Sequence, residues 1–195
     1  MSAGALSMRP CTARDADITL ALFQRSIREV ASRDYTPAQI EAWAGHMDRR
    51  VWANSLERQC TWVAMLDDTP AGFASLTDRG HLDMLFVSPA HQRRGVASAL
   101  LNTVEQSVRR RGITRITTEA SLTARPFFEA RGFKAVIAQE MKRRGQVLRN
   151  FWMEKGMKEG NRAIHALTQP PDQGKARAFS ACSPLKRPIT RWALM

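Results

Sequence analysis

The tightest constraint on the fold is the stretch HLDMLFVSPAHQRRGVASALLNTVEQSVRRRG, from His81 to Gly112. An apolar run, HLDMLFV, reads as a strand and is interrupted by Pro89. Beyond Gly95, Val96, Leu100, Val104 and Val108 recur every fourth residue with Ala97 and Leu101 beside them, the apolar stripe of an amphipathic helix running to Gly112. Between strand and helix stands QRRGVA, Gln92 to Ala97. The first amides of a helix have no partner within it, and the helix dipole adds partial positive charge there. A phosphate at that spot collects several hydrogen bonds at once. Gly95 lets the backbone turn and approach a ligand, Ala97 leaves room beside the first turn, and Arg93 and Arg94 add charge. The corner is suited to a pyrophosphate. It is not a Walker loop, because no GK[ST] follows, nor a dinucleotide fingerprint, because Gly95 is the only glycine between Gly80 and Gly112.

The flanking sequence supplies a mixed set of elements. Ile18, Leu22, Ile27 and Val30 predict a helix from Asp15 to Ala31, with Thr12 or Asp15 as its cap. In YTPAQIEAWA, Thr36 caps and Pro37 takes the first position of a second helix. CTWVAML (Cys60–Leu66), the turn DDTP and AGFASLT (Ala71–Thr77) read as a β-hairpin. After the glycine-corner helix come a β-branched strand from Ile113 to Glu119 and a short helix from about Thr123 that ends at Gly132. A terminal strand pair follows, FKAVIAQE and QVLRNFWME, turning at Gly145. The expected class is α/β, a mixed sheet packed by helices and parallel where a helix crosses between strands. From Gly160 to Met195 the sequence has no sustained period, several prolines and one acidic residue, so residues 1–158 are expected to form the domain and 159–195 a basic, disordered tail.

Composition narrows the function. The net charge of +12 admits a polyanionic partner, but the basic residues are spread out and few aromatics lie among them, so nucleic acid is not the expected partner. No apolar run is long enough to span a membrane. The three cysteines, Cys11, Cys60 and Cys182, are scattered and match no zinc or redox spacing. No metal is expected, and a reduced cytoplasm is the expected compartment.

LFVSPAHQRRGVASALL resembles the acyl-CoA-binding core of the GCN5-related N-acetyltransferases, whose signature [Q/R]-x-x-G-x-[G/A] is matched by Gln92, Gly95 and Ala97. The likeness runs from about Met8 to Met157, and RDYTPAQIEAW and LRNFWMEK are similar to a bacterial subgroup of acetyltransferases. The resemblance implies a mostly antiparallel central sheet with one splayed parallel strand pair and helices on both faces. It implies acetyl-CoA as acyl donor, its pyrophosphate on the amides of Arg93, Arg94, Gly95, Val96, Ala97 and Ser98. Pantetheine would lie in the splay against Leu85 and Val87, and an amide near Leu85 or Phe86 would polarise the thioester. It places Ser121 and Phe128 beside the cofactor, in the later helix region ASLTARPFFEARGF. An amine is the implied acceptor. Family members are often dimers, and no stretch of the sequence specifies an interface.

An ammonium must lose a proton before it attacks a thioester, so a base is needed within reach. Strand alternation puts residues 81, 83, 85 and 87 on one face. His81 resembles, by its distance from the signature, the glutamate base of some family members, and Asp83 is expected beside it as base, orienting group or cation site. Many members carry a tyrosine acid where this chain has Phe128, which cannot donate a proton. Tyr35, the only tyrosine, is the remaining phenol, available as acid, substrate wall or core cap. Transfer of acetyl to an amine by direct attack is the expected activity, and an acyl-CoA-binding sensor is the alternative that Phe128 motivates.

Overall fold

The computed structural model describes residues 5–157. The expected tail, the boundary at 158 and Cys182 lie outside the described residues. A seven-stranded sheet runs in the order β1-β2-β3-β4-β5-β7-β6, with strands Leu6–Pro10, Cys60–Leu66, Thr69–Leu76, His81–Val87, Arg115–Ser121, Lys134–Arg143 and Gln146–Gly156 for β1 to β7. Every neighbouring pair is antiparallel except β4 and β5. The helices are α1 (Ala16–Val30), α2 (Pro37–Ala44), α3 (Arg49–Glu57), α4 (Val96–Arg110) and α5 (Arg125–Ala130).

The predicted stripe of α4 is buried as read: Val96, Leu100, Leu101, Val104 and Val108 join Leu82, Leu85 and Val87 of β4 in one core. Gly72 of β3 lets this helix come close. A Cβ there would lie 2.7 Å from the Phe86 carbonyl oxygen and 3.1 Å from both Val96 and Leu100. A second core forms on the opposite face from α1, α2 and α3, where Phe23, Trp43, Trp52, Phe73, Met84 and Phe86 are fully buried. The Phe23 ring lies 4.9 Å from Trp52 and 5.0 Å from Phe86, within the range where aromatic pairs add to area burial.

Two elements were not foreseen. Strand β1 is short and ends at Pro10, as an edge strand can, and five residues are too few for period-two alternation to stand out. Helix α3, RRVWANSLE, buries only Trp52 and Leu56, one i, i+4 pair, while Val51 is exposed, Ala53 is half-buried and the remaining positions are polar. Asp48 caps it by accepting from the Val51 amide at 2.9 Å. The Thr36 cap of α2 formed as read, with a capping box in which Gln39 answers back to the Thr36 amide at 2.9 Å.

Asp15 anchors the start of α1. Its carboxylate takes Nη1 and Nη2 of Arg9 at 2.8 and 2.7 Å, and the Thr12 amide at 2.7 Å. The Arg9 hydrogen bonds hold the Asp15 carboxyl down to about 2. A depressed acid stabilises the fold above its unfolded value and loses that contribution as pH falls toward the folded one. Asp15→Asn is expected to cost about 1–2 kcal/mol at pH 7, discounted because Arg9 is part-exposed. Denaturant melts of both proteins at pH 7 and pH 2.5 should converge at the lower pH.

Candidate active site

The strand-to-helix corner is built by the chain folding back on itself. After β4, a single 3-10 turn covers Pro89–His91. Gln92 then sends its side-chain amide back to the Val87 carbonyl at 3.3 Å, where Ser26 Oγ also donates at 2.9 Å. The first residue of QRRGVA thus ties the loop to the strand end. Gly95 has φ +80 and caps α4, and Arg93 also lies at positive φ, +62. The α4 ladder begins with the Ala99 amide bonding the Gly95 carbonyl at 3.0 Å, so the amides of Val96, Ala97 and Ser98 precede it. A Cβ built on Gly95 meets no atom within 4 Å: the space over this helix end is open. Arg131, just past α5, reaches Ser98 Oγ and adds a guanidinium to the rim.

Strands β4 and β5 pair only where β4 begins, His81 with Thr117 and Leu82 with Thr118, after which the two diverge. Beyond the Thr118 Oγ1 bond to the Leu82 carbonyl at 2.9 Å, the second half of β4 has a partner on one side only. The Ser88 amide bonds the Ala71 carbonyl at 2.8 Å, which turns the backbone groups of Met84, Phe86 and Ser88 toward β3. Leu85 therefore presents both of its groups to the opening and Val87 its amide, the Val87 carbonyl being taken by Ser26 and Gln92, which leaves an edge that an extended chain can pair with. This splay is the gap expected between β4 and the next parallel strand.

The strand alternation expected for residues 81, 83, 85 and 87 is corrected by the register. Between the pairs Ser75–Met84 and Leu76–Leu82 the ladder slips by one, leaving Asp83 without a Cα partner of its own. Leu82 and Leu85, three apart, consequently share the α4 core, and Met84 enters the other one. Asp83 is 2 % exposed and accepts from Gln59 Nε2 at 2.8 Å. Gln59 follows α3, so this carboxylate is reached from the face that α1–α3 cover.

His81 is half-buried, stacked on Trp152 with ring centroids 5.3 Å apart, and its Nδ1 is 3.0 Å from Thr117 Oγ1. Burial pushes its pKa down to about 4, so the ring is neutral at physiological pH. Glu119 on β5, two residues beyond Thr117, is 8 % exposed and accepts from Asn150 Nδ2 at 3.3 Å. Sequence reading did not single out Glu119. Its signal was a carboxylate near the end of a β-branched run, but only the register shows that it faces inward beside the splay.

Tyr35 is buried in the α1–α3 core. Its hydroxyl donates to the Arg149 carbonyl at 2.6 Å and accepts from the Leu122 amide at 3.0 Å, clasping the ends of β5 and β7. Burial raises the phenol to about 12. Tyr35→Phe leaves two part-buried backbone groups short of a partner and is expected to cost about 1–3 kcal/mol. Thermal melts should register a loss of about 3–10 °C. Phe128 is fully buried against Phe133 and Phe127, and Ser121 Oγ accepts the Ala124 amide at 3.0 Å, so both support the α5 turn. Among the described residues no group of His, Cys, Asp and Glu is placed to hold a metal, and no helix is long and apolar enough to cross a membrane.

Comparison with known proteins agrees with this geometry. The family model described as "Acetyltransferase (GNAT) domain" matches residues 31–155. The uncharacterized N-acetyltransferase YafP of Escherichia coli K12 is 42% identical over 133 residues, 68% of this chain and 84% of that protein. A crystal structure of a GCN5-related N-acetyltransferase from Rhodopseudomonas palustris is 36% identical with a TM-score of 0.76, covering 80% of this chain and 98% of that one. The PaiA N-acetyltransferase of Thermoplasma acidophilum, solved with coenzyme A, shares the fold at 18% identity and a TM-score of 0.61, covering 78% and 99%. The glycine corner, the splayed strands and these likenesses together show that the chain belongs to the GNAT family of acetyltransferases.

Proposed function

We propose that the protein transfers the acetyl group of acetyl-CoA to a primary amine by direct attack in a ternary complex. The observation that carries this reading is the pair of features on either side of β4. Three amides at the start of α4 precede its hydrogen-bond ladder under open space, and an unpaired strand edge leads from there into the sheet. A pyrophosphate suits the first and an extended pantetheine arm the second. Residues 93–98 would hold the phosphates, and the backbone of Leu85 with the amide of Val87 would hold the arm. Acetyl-CoA supplies an activated thioester. The chain's part is to bind it, orient it and handle the proton.

Asp83 is the preferred base. Proton transfer from a substrate ammonium to a carboxylate removes two opposite charges from a buried site, whereas transfer to His81 would create a cation where burial resists one. His81 is then a positioning residue, fixed by Thr117 and Trp152. The freed amine lone pair forms the N–C bond to the acetyl carbon, the C–S bond breaks with its electron pair leaving on the CoA sulfur, and the extra proton on the nitrogen passes to that thiolate or to solvent. A thiol of pKa about 8.5 is a tolerable leaving group without an enzymic acid, which accommodates Phe128 and the committed hydroxyl of Tyr35. Burial pushes the Cys11 thiol up to about 11, which argues against an acyl-cysteine route through it.

Calorimetric titration with acetyl-CoA tests the reading. Saturable one-to-one binding is expected. No heat and no protection against thermal unfolding would overturn the assignment of both the corner and the splay.

A further inference from the structure

At one level of the sheet, on the face covered by α1–α3, five strands carry polar side chains where an apolar core is the rule. The register aligns them. Gln139 on β6 pairs with Asn150 on β7, whose amide bonds Glu119 on β5. The Leu82–Thr118 pair sets Asp83 on β4 next to Glu119, and Ser75 on β3 stands opposite Met84. Their face is fixed by Leu148 and Phe73, each two residues away on its own strand and each part of the α1–α3 core.

Three oxygens in this stripe, Ser75 Oγ, Gln139 Oε1 and Asn150 Oδ1, are buried and have no hydrogen-bond partner, and so is a fourth beside it, Gln59 Oε1 in the connection between α3 and β2. Ser75 and Asn150 are fully buried. Leaving such an atom unpaired costs about 1–3 kcal/mol, so a run of four is the mark of a site that expects a partner. The three amide oxygens can only accept. Beside them stand two carboxylates, Asp83 and Glu119, in a protein whose net charge is +12. The complement of such a site is rich in N–H donors, positively charged and extended. Neighbouring strands lie about 4.8 Å apart, so Glu119 and Gln139 are separated by two spacings, about 10 Å.

We propose that this stripe is the acceptor subsite for a diamine or polyamine, with the reacting nitrogen against Asp83 at the opening between β4 and β5 and a second, protonated nitrogen held by Glu119, Asn150 and Gln139. The proposal rests on the reading of the chain as an amine acetyltransferase. A monoamine would leave the amide oxygens of β6 and β7 unanswered, and an amine carrying a carboxylate would set like charge against Glu119.

The test is acetyl-CoA-dependent thiol release with 1,4-diaminobutane, spermidine, butylamine and 4-aminobutanoate. The expected kcat/KM for 1,4-diaminobutane or spermidine exceeds that for butylamine by about 100-fold or more, as in sites built to hydrogen-bond a group the analogue lacks. In Glu119→Gln, and in Gln139→Leu at a half-buried position of the edge strand β6, the diamine-to-monoamine ratio is expected to fall at least about ten-fold. Equal or better turnover of butylamine or 4-aminobutanoate, or an unchanged ratio in both variants, overturns the subsite and leaves the acetyltransferase reading standing. No release with any amine overturns both.

Discussion

Replacing Gly95 with valine is expected to weaken CoA binding by about 100-fold or more, the loss of two charge-assisted hydrogen bonds, while the protein stays folded. Gly95 sits at φ +80, a backbone region in which a β-branched residue is a genuine outlier. Strain of that kind costs about 1–3 kcal/mol, a few degrees of Tm in a chain of this length. A Cβ at this point meets open space rather than protein, so the obstruction falls on whatever occupies the helix end. Gly112, at the far end of α4, provides the control. It has φ +69 and equally open surroundings. Gly112→Val should lose similar stability and bind CoA like the parent. If the two variants bind alike, strain and not the phosphate corner explains the effect.

The second large effect is expected at Asp83. Asp83→Asn keeps an oxygen to accept from Gln59 and removes the charge and the basicity. Loss of a positioned base lowers kcat by about 10²–10⁴, and the affinity for acetyl-CoA should not follow, because Asp83 faces the α1–α3 side and not the corner. His81→Ala removes the partner of Trp152 and is expected to cost less, about ten-fold or below. The opposite ranking, full turnover in Asp83→Asn with an inert His81→Ala, would transfer the role of base to the imidazole.

The parts of the site legible in the sequence are those carried by local pattern. The glycine corner announced itself because an apolar strand, a helix stripe and an αL-tolerant residue follow one another within a few positions. Gln92 was read as a signature position, and its physical task, closing the loop on the Val87 carbonyl, needed the structure. The parts that were not legible depend on register between strands distant in sequence. One slip beside Asp83 changes which residues share its face, and no single-strand alternation can reveal it. Glu119, Gln139 and Asn150 meet only because β7 lies between β5 and β6, an order that follows from the fold and not from chain succession. Tyr35 was offered three roles by sequence. Its paired bonds to Arg149 and Leu122 support the structural one. Helix α3 went unseen for a related reason: its short apolar face is completed by neighbours from α1 and β3, as where Trp52 Nε1 donates to Thr19 Oγ1 at 3.0 Å.

The most direct test of the central claim is initial-rate kinetics of CoA release with acetyl-CoA and a primary amine varied together. Direct attack within a ternary complex predicts release that depends on the amine and double-reciprocal lines that intersect. Parallel lines would indicate an acetylated enzyme intermediate, and tight acetyl-CoA binding with no amine-dependent release would mark a sensor; either result would contradict the account.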